Sequence, residues 1–484
     1  MTDLQIPRLS PPLSRTCISL GIGSMGTLLE QIETHDFVEI RLDHLVASVA
    51  LDKGLKRART FRQLFDHDTP SIATCRQIAG LPDAERLRIL KDAIRHGACL
   101  CDLDMSTDTA IRAQLREFSQ AAGCGLILSN HDLTGIILCR NFGNDLINAI
   151  KKCPHDRLFV LTDENTHKHC LLNEKNIFPK EEIFQEIIIG ADDVNKTLET
   201  LASVWQALSQ QGASRHSLLI NLGGGMVTDL GGFAASTFKR GISYINIPTT
   251  LLSMVDASVG GKTGINFNGL KNEIGVFSPA SSVLIETAFL QTLDTQNILS
   301  GFAEMLKHGL ISTQAHLDEL LAFDIEHIDY EALKQMVGRS VAVKERIVEE
   351  DPKEHGIRKA LNLGHTIGHA FESLALAEGR PVLHGYAVAW GLVCELYLSY
   401  IKIGFPKELM RTVIQFIKEN YGTFSFSCKQ YDQLYELMTH DKKNSNGIIN
   451  FTLLKGVGDI CLNQTADKDT LFEVFDFFRE CMGE

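Results

Sequence analysis

No apolar run in this chain reaches the ~18–20 residues that a membrane span requires. Positive charge is scarce: 47 Lys and Arg stand against 60 Asp and Glu, a formal net charge of −13. That balance excludes general affinity for nucleic acid or for an acidic membrane surface, though a local basic phosphate pocket can exist inside an acidic protein. None of the twelve cysteines forms a CxxC pair, and Cys99 and Cys101 make only a CxC in an apolar run. Scattered cysteines of this kind read as reduced, buried thiols of a cytoplasmic protein. The N-terminal MTDLQIPRLSPPLSR carries prolines and an acid where a signal peptide needs an apolar core, so no secretion signal is expected.

What is present is the composition of a globular protein, 44% hydrophobic and 22% charged, in a chain of 484 residues. That length predicts two or three domains. The chain is organised around Asn221–Asn272. An apolar run, Leu218–Ile220, leads into the triplet Gly223-Gly224-Gly225, and a helix-compatible segment, Asp229–Phe238, follows. Strand, glycine turn and helix can hold a pyrophosphate on backbone N–H groups and a helix N-terminus. The triplet does not have GxGxxG spacing, and such a triplet can equally be a tight turn. A second strand-like run, Tyr244–Ile247, ends in Pro248-Thr249-Thr250, whose hydroxyls can bond an adenine, a ribose or a phosphate. Asp256, Gly260-Gly261-Lys262 and Lys271-Asn272 come next. A carboxylate, lysines and paired glycines suit a phosphorylated polyol beside a nucleotide.

Ahead of this stretch, residues 16–134 alternate strand and helix. Apolar runs fall at Cys17–Leu20, Phe37–Leu42, Ser71–Cys75, Cys99–Leu103 and Leu126–Ser129, with helix-like stretches such as Asp83–His96 and Thr107–Ala122 between them. This predicts a parallel sheet or part of a barrel. Glu39, Arg41, Asp43, Arg76, Asp102, Asp104 and His131 cluster at the C-terminal strand ends, where barrel active sites are built. Beyond Thr292 the pattern turns helical. Glu304 and Lys307 share a helix face, as do His365 and His369, and His384 supplies a further imidazole. An HxxxH pair alone is more often a helix surface than a metal site. Glu/His/His with open positions is a catalytic ligand set.

The words GGGMVTDLGGF, RGISYINIPTTLLSMVDASVGGKTGIN and KNEIG resemble 3-dehydroquinate synthase, the sugar-phosphate cyclase of the shikimate pathway, and the likeness runs over residues 135–484. EIRLD (Glu39–Asp43), ATCR (Ala73–Arg76), CDLD (Cys101–Asp104) and SNHD (Ser129–Asp132) resemble type I 3-dehydroquinate dehydratase. The first resemblance implies a Rossmann-like NAD-binding domain at 135–295 and a mainly α-helical metal- and substrate-binding domain at 296–484. The second implies a partial (β/α) barrel at 1–134. The fold class of the whole is α/β.

The cyclase likeness further implies the site. Asp163, Asp193, Lys196, Gly224, Gly225, Asp229, Thr249, Thr250, Asp256, Lys262, Lys271 and Thr292 would hold NAD. Glu304, His365 and His384 would bind a divalent metal, Zn or Co, with His369 beside them. Lys262, Lys307, Lys344, Arg358, Asn362, His369, Asn272, Lys442 and Lys443 would meet the substrate. Arg240 would reach in from the neighbouring subunit of a homodimer. The expected substrate is a small sugar-acid phosphate, 3-deoxy-D-arabino-heptulosonate 7-phosphate. The sequence departs from the family pattern at Asp192-Asp193, where the family has Gly-Glu, and at Tyr386, where it has Glu after His-Gly. Another sugar-phosphate cyclase, or a metal-dependent polyol dehydrogenase of the glycerol dehydrogenase type, remains open beside the first reading. In the front segment the dehydratase pattern stops after Asp132-Leu133, before any imine-forming lysine strand, so no dehydratase activity is expected of it.

Overall fold

The computed structural model describes residues 18–20, 38–42, 55–65, 71–75, 83–104, 107, 109–129, 135–172, 178, 183–268, 270–439 and 449–483. Arg76, His131, Lys442 and Lys443 lie outside them. The chain divides into two compact units, Met1–Leu133 and Thr134–Glu484.

In the first unit the described residues form one parallel sheet: β1 (Ile18–Leu20), β2 (Val38–Arg41), β3 (Ser71–Thr74), β4 (Leu100–Asp104) and β5 (Gly125–Ser129). The strands lie side by side in chain order, as successive units of a (β/α) barrel do. Helices α1 (Leu55–Phe65), α2 (Asp83–Arg95) and α3 (Thr109–Ala121) fall between the strands. Val38, Ile40, Phe61, Ala73, Leu90, Cys101 and Leu115 form the core. Arg86 is fully buried and donates from Nε and Nη2 to Cys75 O at 3.1 and 3.0 Å, which fastens α2 to the end of β3. Glu39 and Arg41 lie on β2.

The second unit is built differently. Its six parallel strands are β6 (Ile136–Leu138), β7 (Leu158–Asp163), β8 (Phe184–Ile189), β9 (Leu218–Gly223), β10 (Ser243–Pro248) and, after a hairpin, β13 (Ser282–Ile285). Their spatial order is β6-β13-β10-β9-β7-β8. β7 and β9 are buried along their whole length, which is why both read as near-continuous apolar runs. From β7 the chain steps outward to β8, then returns to the other side of β7 for β9. That reversal leaves a crevice at the C-terminal ends of β7 and β9, the place where open α/β sheets bind ligands.

Helix α4 (Phe142–Lys152) follows β6, α5 (Leu198–Gln210) follows β8 and α6 (Gly225–Thr237) follows β9. The antiparallel hairpin β11 (Lys262–Phe267) and β12 (Leu270–Phe277) leaves the sheet between β10 and β13. The helical part comprises α7 (Thr295–Leu310), α8 (Gln314–Leu321), α9 (Tyr330–Glu350), α10 (His365–Ala377), α11 (His384–Ile403), α12 (Lys407–Tyr421), α13 (Tyr431–Thr439) and α14 (Lys468–Met482), with the hairpin β14 (Asn450–Gly456) and β15 (Asp459–Thr465) before α14.

One apolar core runs from the sheet (Ile220, Ile245, Leu284) into these helices (Phe302, Phe371, Leu392, Phe416). A separate core on the sheet's other face joins Phe159, Leu161 and Leu219 to Leu201, Val204 and Leu230 of α5 and α6. No helix among the described residues is long and apolar enough to cross a membrane.

Candidate active site

β9 ends at Gly223 and α6 starts at Gly225, with Gly224 as an N-cap that supplies no side-chain hydrogen bond. The first N–H groups of α6 are therefore left to a ligand, and the helix dipole favours an anion there. A Cβ on Gly224 would lie 3.0 Å from Thr250 Cγ2, so the turn stays open only because position 224 is bare. Thr249 Oγ1 is buried with no hydrogen-bond partner. Thr250 Oγ1 accepts from the Ser253 N–H at 3.2 Å. Asp163 closes β7 at the same crevice, its Oδ1 accepting from the Thr166 N–H at 2.7 Å. An uncapped helix N-terminus, a bare turn and a spare buried hydroxyl fit the pyrophosphate part of a dinucleotide.

The other predicted nucleotide residues meet beside the hairpin. Lys196 Nζ donates to both Asp229 Oδ2 and Asn272 Oδ1. Lys271 Nζ lies 3.4 Å from Asp193 Oδ2 and 2.6 Å from Glu372 Oε1. Asn266 Nδ2 donates to Asp193 Oδ2 at 3.1 Å, and Asn272 sits at φ 50°. Burial raises the Asp229 carboxyl although Lys196 opposes it.

Three helices bring the predicted metal ligands together. Glu304 lies on α7, His365 opens α10 and His384 opens α11. His365 Nε2 is 3.3 Å and His384 Nε2 3.6 Å from Glu304 Oε1. The helices approach this closely because glycines line their contacts. A Cβ on Gly385 would stand 1.9 Å from Ser300 O of α7, and one on Gly391 would stand 2.0 Å from Gly364 O at the start of α10.

The tautomers follow from the outer bonds. His365 Nδ1 lies 3.1 Å from Leu363 O, and His384 Nδ1 lies 3.2 Å from Glu372 Oε2. Both partners only accept, so each Nδ1 donates and each Nε2 faces Glu304, where loss of its proton would give a lone pair to a cation. Glu304 Oε1 is buried and faces only these two imidazoles, neither in strict hydrogen-bond geometry. Two imidazole nitrogens and a buried carboxylate oxygen converging on one point fit a divalent cation. His369 packs edge-on to His365 with ring centroids 5.3 Å apart, and the ligand atoms of His365, His369 and His384 lie within 4.8 Å of one another.

In the metal-free protein a proton takes the cation's place. Burial works to lower the His384 imidazole, but Glu372 and Glu304 raise it to about 10. Its folded-state value therefore exceeds the ordinary 6.5. This contribution to stability is complete below pH ~6.5 and is lost as pH rises through about 10. Metal binding must expel the same proton. The expected result is that Co2+ affinity of the metal-free protein rises about tenfold per pH unit from pH ~6 to ~8, as read by titration against a competing chelator.

Charged pairs surround the ligands. Lys307 Nζ donates to Glu304 Oε2. Lys344 of α9 bonds Asp256 Oδ1 at 2.7 Å. Burial resists ionisation of both carboxylates, yet Lys307 with His365, and Lys344, hold Glu304 and Asp256 well below the usual carboxylate range. Arg358 is buried, with Nη1 on Pro352 O at 2.6 Å and Nη2 on Gly260 O at 3.1 Å. Lys262 Nζ and Asn362 Nδ2 both donate to the Glu354 carboxylate, the latter at 2.8 Å.

Two predicted residues stand apart from these clusters. Thr292 spends its hydroxyl on Phe289 O at 2.7 Å within its own turn. Arg240 is exposed at φ 71° beyond the C-terminal end of α6, roughly 20 Å along the helix from Gly225.

Four residues were not singled out from the sequence. Glu372 holds His384 and Lys271. Glu395 of α11, a lone acid in an apolar helix, accepts from the Gly364 and Ile367 N–H groups at 2.6 and 3.1 Å and so caps α10. Glu354 bridges Lys262 and Asn362. His308 is fully buried beside Asp256 and Glu304, neither ring nitrogen has a partner, and burial pushes its imidazole down to about 3. Glu372 had a readable signal, since it follows His365 and His369 at i+7 and i+3 on one helix face.

A glycine-turned parallel sheet sharing one core with a helical layer places this chain among folds of the sugar-phosphate cyclase type. The 2-epi-5-epi-valiolone synthase of Streptomyces hygroscopicus, solved with NAD+ and Zn2+ bound, superposes with a TM-score of 0.64 at 26% identity over 71% of this chain and 96% of that one. A 2-deoxy-scyllo-inosose synthase complexed with carbaglucose-6-phosphate, NAD+ and Co2+ shares the fold with a TM-score of 0.63 at 22% identity, covering 70% of this chain and 95% of its own. At the sequence level the match is more particular. Family models for the 3-dehydroquinate synthase N-terminal and C-terminal regions match residues 186–300 and 301–444. The 3-dehydroquinate synthase of Parabacteroides distasonis is 57% identical over 350 residues, which is 72% of this chain and 98% of that protein. The chain belongs to the 3-dehydroquinate synthase family. The type I 3-dehydroquinase model matches residues 16–156, although Ile136–Leu138 pairs with β13 in the second unit's sheet.

Proposed function

We propose that residues 134–484 convert 3-deoxy-D-arabino-heptulosonate 7-phosphate to 3-dehydroquinate and phosphate. The observation that carries this is the convergence of Glu304 Oε1 with two imidazole Nε2 atoms beside Lys307, with the Lys344–Asp256 pair close by. The dinucleotide residues are Asp163, Asp193, Lys196, Gly224, Gly225, Asp229, Thr249, Thr250, Asp256, Lys262 and Lys271; the cation ligands are Glu304, His365 and His384. When bound, NAD supplies a transient oxidation that acidifies the C–H beside the leaving phosphate, and the divalent cation supplies Lewis acidity and a template.

The chain's own groups do the rest. Arg358 presents a planar fork for a carboxylate or phosphate. Lys262, Lys344 and Lys307 are already paired with carboxylates, so an anionic substrate exchanges one partner for another and brings no unpaired charge into the pocket. Glu354 is the group displaced from Lys262 and Asn362. His308, held neutral by burial, can accept or donate one hydrogen bond at each nitrogen without adding charge. Tyr386 packs against Trp390 and Tyr421, with ring centroids 6.0 and 5.2 Å away, and fills space between helices. Its departure from the family pattern therefore has a packing role.

Arg240 is exposed beyond the C-terminal end of α6, open to a second copy of the chain in a homodimer where it would serve the partner's site. The reading places the enzyme in the cytoplasm. The test is to supply heptulosonate phosphate, NAD and Co2+ or Zn2+ and follow phosphate and 3-dehydroquinate together. Both should appear in equal amounts over many turnovers, with reduced cofactor never exceeding the enzyme concentration. Stoichiometric reduced cofactor would mean a polyol dehydrogenase.

No counterpart of the imine-lysine strand follows Leu133 in the sequence, and without it a general acid/base has no activated substrate to act on. Given 3-dehydroquinate, the protein should yield no conjugated enone. Borohydride treatment should leave the protein mass unchanged, and a trapped lysine adduct would refute this.

A further inference from the structure

Glu372 is almost fully buried on α10, and its two oxygens face in different directions. Oε2 accepts from His384 Nδ1 at 3.2 Å, and Oε1 accepts from Lys271 Nζ at 2.6 Å. Lys271 belongs to the hairpin strand β12 and lies 3.4 Å from Asp193 Oδ2. A continuous chain of charged contacts thus runs Asp193, Lys271, Glu372, His384, Glu304. Its first two members belong to the dinucleotide group of residues and its last two to the cation group.

We propose that Glu372 is a positioning residue that links the two sites, fixing the His384 imidazole for the cation while drawing its second anchor from a lysine shared with the nucleotide pocket. The inference rests on the preceding reading that NAD and a divalent cation occupy these places.

The argument has two parts. A ligand imidazole whose outer N–H is held by a carboxylate keeps its tautomer and ring angle, and loss of such a partner typically weakens metal binding about 10- to 100-fold. His384 has no helix turn ahead of it to fix its ring, because it is the first residue of α11. Its orientation therefore depends on Glu372. The second part concerns Lys271, which divides its charge between Asp193 and Glu372. A ribose that engages Asp193 withdraws one of these partners and commits Lys271 to Glu372. The carboxylate is then held more firmly behind His384, so bound NAD tightens the cation. By linkage, the cation tightens NAD by the same factor.

Equilibrium binding tests this without turnover. Co2+ affinity is measured by chelator competition and by the ligand-field absorption of bound Co2+, with and without NAD. NAD affinity is measured with and without Co2+. In the unsubstituted protein NAD should tighten Co2+ about tenfold, and Co2+ should tighten NAD equally. Glu372→Gln should weaken Co2+ about 10- to 100-fold and shift its absorption. It should leave metal-free NAD affinity unchanged within about twofold and abolish the mutual effect. Lys271→Met, measured with Co2+ alone, should weaken it only severalfold, since it cuts just the far anchor.

Glu372→Gln binding Co2+ like the unsubstituted protein, or keeping the NAD effect, would overturn the proposal. So would the absence of any NAD effect in the unsubstituted protein, or Lys271→Met matching it. Should the unsubstituted protein bind neither NAD nor Co2+, the functional reading itself fails. An unfolded Glu372→Gln would leave the decision to Lys271→Met, whose side chain is 44% exposed.

Discussion

His365→Ala should lower phosphate release by about a thousandfold or more while the protein stays folded. A bound cation contributes several kcal/mol to charge stabilisation, and every 1.36 kcal/mol is a factor of about ten in rate. Removing His365 leaves Glu304 and His384, two ligands from two helices, too few for tight binding. The fold does not depend on the imidazole. Its side chain lies at the head of α10, whose N-terminus is held by Glu395 and whose inner face is packed through Ile367, Phe371 and Leu374. Metal content, phosphate release and a thermal unfolding curve, taken on one preparation, decide the matter. An unfolded variant would make the site structural. A folded variant with normal turnover would remove His365 from the ligand set.

Lys344→Met should cost both stability and turnover. Lys344 is buried on α9, and its ammonium group meets Asp256 at 2.7 Å. Glu304 lies close to Asp256. Without Lys344 two carboxylates face each other in a partly dry setting. Breaking such a buried pair costs about 3 kcal/mol or more, measurable as a lowered midpoint of thermal unfolding. Adding Asp256→Asn removes the stranded charge and should restore much of the stability but none of the activity. If the single substitution leaves the midpoint unchanged, the pair does not act as a buried ion pair.

Much of this was legible in the sequence because chemistry and chain order coincide. The glycine turn at Gly223–Gly225 sits between a strand and a helix that are contiguous in sequence. Glu304 and Lys307, or His365 and His369, share a face through helical spacing alone. The parallel strands β7 and β9 announce themselves as unbroken apolar runs because both faces are covered. The parallel front sheet followed from simple alternation.

What could not be read depends on contacts between distant segments. Nothing in the spacing tells that Glu395 reaches back 31 residues to cap α10, or that Lys271 and Glu372 meet across 101 residues. The β11–β12 pairing was obscured because its glycines and polar residues read as a ligand loop. His308 was passed over beside Lys307, since only burial distinguishes a structural imidazole from an active-site one. Thr292, expected at the cofactor from the family likeness, bonds Phe289 O within its own turn.

The sheet order has one more consequence, for synthesis. Ile136–Leu138 opens the second unit, but its partner strand is Ser282–Ile285, the last strand of the sheet to be made. On the ribosome, β6 must wait for about 145 further residues, some seven to thirty seconds at about 5–20 residues per second. During that interval β6 has no neighbour, while the front segment has already emerged complete. The nascent chain thus carries an unpaired apolar strand, open to mispairing, until Ser282–Ile285 is made.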